Sequence, residues 1–211
     1  MGAVILAAGL ASSMAQNVYS LNVVGYYNVT AAGAGFTLMA NQLNSGTNGL
    51  NQILPSAADG SQVLKFANNA YNVDIAVGGA WFDNSTGDPT KTTLSPGEGF
   101  FLYNPGAATP VTFVGEVPQG ALSVTLQPSF TLIGNPYPAV LDLSSNSFPQ
   151  ADGMQYESFA NNIYTVDISV GGAWFDNSTG DPAVVAPGVG QGYFIYNPGA
   201  AKPWAVNFTV Q

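Results

Sequence analysis

Apolar and polar residues alternate along most of this chain, which is the periodicity of a half-buried β-strand. Residues 71–77 (YNVDIAV), 164–170 (YTVDISV) and 204–210 (WAVNFTV) each carry an apolar side chain at every second position. Only residues 49–55 contain a short helical pattern, and no stretch sustains a helical stripe. The pattern therefore predicts an all-β fold with at most one helical turn.

A long internal repeat is the strongest feature of the sequence. Residues 66–89 (FANNAYNVDIAVGGAWFDNSTGDP) recur at 159–182 with three differences in 24 positions, an offset of 159 − 66 = 93. The same offset relates the later segments PGEGFFLYNPGAA and VGQGYFIYNPGAA. We predict two tandem pseudo-repeats of about 93 residues, a length suited to small domains. They would form packed β-sandwich or barrel-like units over 16–117 and 118–211.

The junction between the two units contains no Pro/Ser-rich linker. Residues 111–117 (VTFVGEV) form an apolar strand pattern interrupted by a Val-Gly step, and the segment 118–129 that follows also alternates. We expect the strand at 111–117 to close the first unit and open the second. The two units would then form one continuous body.

Composition excludes several classes of function. Charged residues make up only 7% of the chain, against about 25% in an average soluble protein. Twelve acids face three lysines, and there is no arginine, histidine or cysteine. Nucleic-acid binding is excluded because phosphates need clustered cations. Without histidine or cysteine the common nucleophile–base pairs cannot be assembled. We therefore predict a non-enzymatic protein without a cofactor.

The first residues predict export. Residues 2–15 form an apolar run, and Ser13 and Ala15 satisfy the small-x-small rule for cleavage before Gln16. The run is shorter than the roughly 20 residues that a membrane-spanning helix needs, and no other stretch is long and apolar enough. We predict a signal peptide at 1–15 and a secreted protein, extracellular or at the cell surface, with no membrane span. The alternative is a short buried helix of the mature fold.

Several motifs carry a resemblance. The segments FTLIGNPYP, GGAWFDNSTGDP and LSPGEGFFLYNPG, followed by VTFVGEV, resemble a β-rich repeat of exported proteins of environmental Gram-negative bacteria. The resemblance implies a β module at the cell surface or outside the cell, and it implies no activity. The first copy departs from the pattern at FTLMANQL, where Gln42 replaces the proline.

The repeated DNSTGD loop is a candidate metal site. Its carboxylates, Asp83 and Asp88 in the first copy and Asp176 and Asp181 in the second, alternate with hydroxyl and amide oxygens. Calcium prefers such oxygen ligands. The spacing does not fit an EF-hand, however, and an Asx turn closed by glycine explains the same residues. The turn is the favoured interpretation.

Aromatic residues near this loop are candidates for glycan binding. Trp81 and Trp174, with Tyr71 and Tyr164 on the preceding strand, could stack on sugar rings of an extracellular glycan. A Gly-Gly-Ala-Trp-Phe strand is also typical of a core, in which glycine leaves room for a large neighbour. The core interpretation is favoured.

The N-terminal part of the mature chain is a candidate assembly strand. No formally charged side chain precedes Asp59, and an uncharged edge strand is a template for another chain. The strand 19–29 could add to a neighbouring molecule or pair within its own unit, and both alternatives stay open. Its candidate residues are Tyr19, Leu21, Val23, Tyr27 and Val29.

These observations predict a secreted, non-enzymatic structural or adhesive β protein of the bacterial surface. Its expected partner is a second copy of itself, with filaments formed by strand addition as one outcome. The alternative is a carbohydrate-binding module that uses the Trp81 and Trp174 strands.

Overall fold

The structure is a computed structural model, and it describes residues 23–145 and 147–210. The predicted signal peptide lies outside these residues. Over the described part the chain is all-β, as predicted, with fifteen strands and one helix of four residues. None of its described helical structure has the length and hydropathy needed to cross a membrane. The elements are β1 (Val24–Ala31), β2 (Gly35–Asn41), α1 (Leu50–Ile53), β3 (Gln62–Ala67), β4 (Ala70–Val77), β5 (Ala80–Asp83), β6 (Glu98–Asn104), β7 (Thr109–Glu116), β8 (Gly120–Leu126), β9 (Ser129–Ile133), β10 (Gln155–Ala160), β11 (Ile163–Val170), β12 (Ala173–Asp176), β13 (Pro182–Ala183), β14 (Tyr193–Asn197) and β15 (Lys202–Phe208).

The first copy of the repeat contains an antiparallel sheet and a two-stranded ribbon. Strands β5, β4, β3, β6 and β2 lie side by side in that order. Strands β1 and β7 pair from Val24 opposite Glu116 to Ala31 opposite Thr109. The ribbon covers one face of the sheet, because its inward side chains pack against those of the sheet. The core between them includes Met39, Leu43, Leu50, Trp81, Leu94, Phe100 and Phe113.

The second copy pairs its strands in the same order. Strands β12, β11, β10, β14 and β9 follow one another, and β13 is added at the edge. The ribbon is formed by β8 and β15. In β3 and β4 Val63 lies opposite Asp74, and in β10 and β11 Tyr156 lies opposite Asp167, each 93 residues further on. The second core includes Leu126, Leu143, Phe148, Met154, Trp174, Tyr193 and Trp204.

The two copies meet through reciprocal backbone hydrogen bonds. The N–H of Ala40 donates to the oxygen of Gly190 at 2.9 Å, and the N–H of Gly134 donates to the oxygen of Gly97 at 2.9 Å. Gly134 is the counterpart of Ala40 in the second copy, and Gly190 is the counterpart of Gly97, so the two bonds are equivalent. The contact joins the sheets of both copies into one sheet of eleven strands.

Glycine is required where the backbones approach. A Cβ on Gly192 would lie 2.3 Å from the backbone oxygen of Met39. A Cβ on Gly190, whose φ is +73°, would lie 2.4 Å from a methyl carbon of Val29. A side chain at either position would push the two copies apart.

An aromatic cluster lies on the other side of this junction. Phe66 of the first copy packs edge-on against Phe194 of the second at 5.3 Å between ring centroids. Phe101 packs in the same way against Phe159 at 5.1 Å. Because each pair joins residues from different copies, the cluster is a third core shared between them.

The strand at 111–117 does not link the two copies as expected. It forms most of β7, whose strand partner in the described part of the chain is β1. The second copy begins instead with β8, which three residues separate from the end of β7, and β8 pairs with β15. The predicted unit boundary after residue 117 falls within this short connection. The division into two units stays a prediction.

Candidate functional site

The two tryptophans lie in the two cores. Trp81 and Trp174 are at most 2% exposed. Each lies opposite a small buried residue of the neighbouring strand, Ala76 or Ser169, which leaves room for the indole. The indole nitrogen of Trp81 donates to the oxygen of Leu54 at 3.0 Å. An enclosed ring has no surface for a sugar, so the burial of both tryptophans agrees with the favoured core interpretation and not with the sugar-stacking alternative.

The two tyrosines lie together at the rim of the shared aromatic cluster, away from the tryptophans. Tyr71 packs on Phe66 at 5.2 Å between ring centroids, and Tyr164 packs on Phe159 at 5.0 Å. Burial, together with Tyr164 and Glu157 nearby, raises the pKa of Tyr71 to about 12. Both phenols therefore stay neutral under ordinary conditions. Neither belongs to a site that contains the tryptophans.

The DNSTGD loops form Asx turns. One carboxylate oxygen of Asp83 accepts hydrogen bonds from the N–H and the hydroxyl of Ser85, at 2.8 and 2.6 Å. The N–H of Thr86 donates to the same oxygen at 3.2 Å. These bonds, that from the Ser85 hydroxyl above all, lower the pKa of Asp83. The carboxylate therefore has a structural use within its own turn.

The second loop has the same geometry. Asp176 accepts from the N–H and hydroxyl of Ser178, at 2.7 and 2.6 Å, and its pKa is also lowered by these bonds. Neither Asp88 nor Asp181 belongs to a cluster of ligands, since no group of three or more Asp, Glu, His or Cys residues occurs in residues 23–145 and 147–210.

The described part of the candidate assembly strand pairs within its own chain. Tyr19 and Leu21 lie outside the described residues, and Val23 directly precedes β1. Tyr27 and Val29 point inward and pack against the first core. The ring of Tyr27 stacks on Phe113 at 4.8 Å. Its hydroxyl donates to the oxygen of Ala40 at 2.8 Å, which anchors the ribbon to β2.

One part of the outer face of the same ribbon is apolar, whereas Asn28, Thr30 and Thr112 on that face are polar. Val24 is 68% exposed, Tyr26 75% and Val114 57%. Tyr26 lies directly opposite Val114, so the three side chains form one patch, here called the ribbon patch. Tyr26 and Val114 were not predicted as site residues, because the sequence does not show that the two lie opposite each other.

The second copy lacks this patch. Its register places Ala121 opposite Asn207 at the positions that correspond to Tyr26 and Val114. Both are exposed. The counterpart of Val24, at an offset of 95, is Gln119. At these three positions the ribbon face is therefore apolar in the first copy and mostly polar in the second. Alignment of the two ribbons could have found this difference in the sequence.

A cavity of about 830 Å³ lies beneath one end of the first ribbon, where β1 ends and β7 begins. Ala31 and Val111 line it from the ribbon, Leu102 from the sheet, and Leu54 and Pro55 from the segment after α1. This cavity was not predicted, because no single stretch of sequence contains it.

Comparisons of the chain with protein-family models, with curated proteins and with solved structures gave no match.

Proposed function

We propose that the chain is a secreted, non-enzymatic structural or adhesive β protein that associates with copies of itself through the ribbon patch. The observation that supports the contact is the pair Tyr26 and Val114, which the first ribbon exposes where the second carries Ala121 and Asn207. Large exposed apolar patches mark interaction surfaces. The apolar segment 2–15 with its small residues supports secretion.

A second copy of the chain suits this surface better than a charged partner does. Glu116 is the one charged residue among the sixteen of β1 and β7. The ribbon therefore offers little electrostatic attraction to an ionic partner and little repulsion between copies. Within the described residues β1 has a strand partner on one edge only. A free, uncharged edge accepts another strand through its backbone groups.

The glycan-binding alternative has weaker support. Both tryptophans are enclosed, so a sugar site would have to use Tyr71 and Tyr164. Those rings already pack against Phe66 and Phe159 on one side.

Sedimentation velocity over a concentration series tests the proposal. The test variant carries Tyr26→Ala and Val114→Asn, which gives the first ribbon the residues of the second. Wild-type protein should form larger species as concentration rises, and the variant should stay monomeric. The reciprocal variant, Ala121→Tyr with Asn207→Val, adds a second patch and should strengthen association. A monomeric wild type at the highest concentration, or a variant that associates like wild type, would overturn the proposal.

A further inference from the structure

The first-copy cavity has a counterpart in the second copy that is filled by side chains. Val29 lies opposite Val111 in the first ribbon, and Val124 lies opposite Trp204 in the second, so Val111 and Trp204 hold the same place. Trp204 is fully buried, and its ring packs edge-on against Phe148 at 5.2 Å. Two aromatic rings therefore occupy the space that is open in the first copy.

Four changes around this space place a smaller residue in the first copy, whereas Leu54 is larger than its counterpart at the same offset, Ser147. Ala31 lies opposite Thr109 in the first ribbon, and Leu126 lies opposite Lys202 in the second. Because Thr109 and Lys202 correspond at the offset of 93, Ala31 and Leu126 hold the same place. At the same offset of 93 Pro55 corresponds to Phe148, and Ser61 corresponds to Met154. Because the surrounding frame is the same, these substitutions leave a cavity in place of a packed core.

The correspondence of Ser61 and Met154 is fixed by matching hydrogen bonds. The N–H of Ser61 donates to the oxygen of Ala58 at 3.0 Å, and the N–H of Met154 donates to the oxygen of Ala151 at 3.1 Å. Both residues follow a glycine with positive φ. The loops that close the two spaces therefore have the same conformation, and the difference lies in the side chains.

One polar group in the cavity is available to a ligand. Ser61 lines the cavity and is 3% exposed, and its hydroxyl makes no hydrogen bond with any described residue. The other buried polar side chain there, the amide of Asn104, already donates to the oxygens of Ala32 and Ala107. The hydroxyl oxygen is open to the cavity, since the enclosed side-chain atoms without a partner among the described residues are those of Asp74 and Trp174, so a ligand atom in the cavity can bond to it.

The lining of the cavity favours an uncharged ligand. It contains no acidic or basic side chain and is mostly alanine, proline and branched aliphatic residues. An ion would lose its hydration there without compensation. The volume lies within the range of small-molecule pockets, about 300–1,000 Å³.

We propose that the first-copy cavity binds an uncharged, ring-containing organic molecule, about as large as the aromatic groups that fill the second copy, with one hydrogen-bonding group directed at Ser61. Val114 lines this cavity and also belongs to the ribbon patch, but the inference does not rest on self-association.

Calorimetric titration with indole tests the proposal, because indole is the side-chain group of Trp204. Wild-type protein should bind one indole per chain in a saturable manner. Val111→Trp should weaken binding at least tenfold and raise the melting temperature, since the added ring fills the cavity. Ser61→Ala should weaken binding several-fold. Thr30→Trp adds the same ring on the exposed side of β1 and should bind indole like wild type.

Ala31→Leu provides a second test, and it is needed if Val111→Trp fails to fold. It places the second copy's residue in the cavity and should also weaken indole binding. Absence of saturable binding to wild-type protein would overturn the proposal. Unchanged binding in a folded Val111→Trp or Ala31→Leu variant would overturn it as well, because indole would then occupy another place.

Discussion

The side-chain oxygen of Gln42 accepts a hydrogen bond of 2.7 Å from the backbone N–H of Gly190, 148 residues further along the chain. The side-chain nitrogen of Gln42 donates to the oxygen of Asn135 at 3.2 Å. The corresponding residue of the second copy, at an offset of 94, is Pro136, whose side chain can form neither bond. The residue at which the first copy departs from the repeat pattern therefore connects the two copies.

We expect Gln42→Ala to destabilise the protein by about 1–3 kcal/mol, because it leaves two buried backbone groups without partners. Urea unfolding monitored by circular dichroism measures this change. Gln127→Ala, at an exposed position, is the matched control and should have little effect. Equal unfolding midpoints for the two variants would show that the Gln42 bonds contribute nothing.

Gly192→Ala should be destabilising by about 1–3 kcal/mol, the usual range for overpacking. The added Cβ would lie 2.3 Å from the oxygen of Met39, so β2 and the following copy would have to separate. Gly199→Ala introduces the same methyl group where the nearest atom lies at 3.6 Å. Thermal unfolding should show a lower midpoint for Gly192→Ala alone. A midpoint like that of Gly199→Ala would contradict the close approach.

Replacement of Glu157 should stabilise the protein at neutral pH. Burial raises the pKa of this carboxyl above its usual value of 4.5. A raised carboxyl pKa means that the protonated form favours the folded state, and that this stability is lost as pH rises through the folded-state pKa. Glu157→Gln removes the charge, and Glu157→Leu introduces the residue of the first copy, Leu64.

Urea unfolding at several pH values measures the effect of Glu157. Both variants should unfold at higher urea than wild type at pH 8, and the advantage of Glu157→Gln should shrink as pH falls through the raised folded-state pKa and be lost below the usual value of 4.5. An advantage of Glu157→Gln that stays constant down to pH 3 would mean that ionisation is not its cause.

The DNSTGD loops should need no metal. We expect EDTA to leave the melting temperature unchanged, because Asp83 and Asp176 are already bonded within their turns. Asp83→Ala should lower the melting temperature slightly at pH 7. The lowered pKa of Asp83 means that its contribution is present above the unfolded-state pKa and is lost as pH falls through the folded-state pKa. A clear drop in melting temperature with EDTA would instead support a bound cation.

Strand formation could be predicted from local sequence, whereas the role of each face could not. Alternation at 71–77 correctly indicated β4, yet the buried positions of that strand are Asp74 and Ala76. The apolar face carries Tyr71 onto Phe101 of the shared aromatic cluster, and Ala76 instead makes room for Trp81. Alternation of apolar and polar residues with a period of two identifies a strand. When both faces of the strand are covered, the alternation does not show which face packs against which core.

The cavity and the ribbon patch depend on differences between equivalent positions. Val111 and Trp204 correspond at the repeat offset of 93, but that both face the core of their ribbon is known only from the register. The register is likewise needed to match Tyr26 with Ala121. Near-identity at 66–89 and 159–182 predicted a common strand order, whereas the two copies diverge in their ribbons.

Hydrogen–deuterium exchange at low and high protein concentration tests the central claim, self-association through the first ribbon, most directly. The predicted result is slower exchange in the concentrated sample for peptides that cover β1 and β7, with no change in β8 and β15. The second ribbon serves as a control in the same molecule. Assembly that protects β8 and β15, or leaves exchange of β1 and β7 unchanged, would contradict the account.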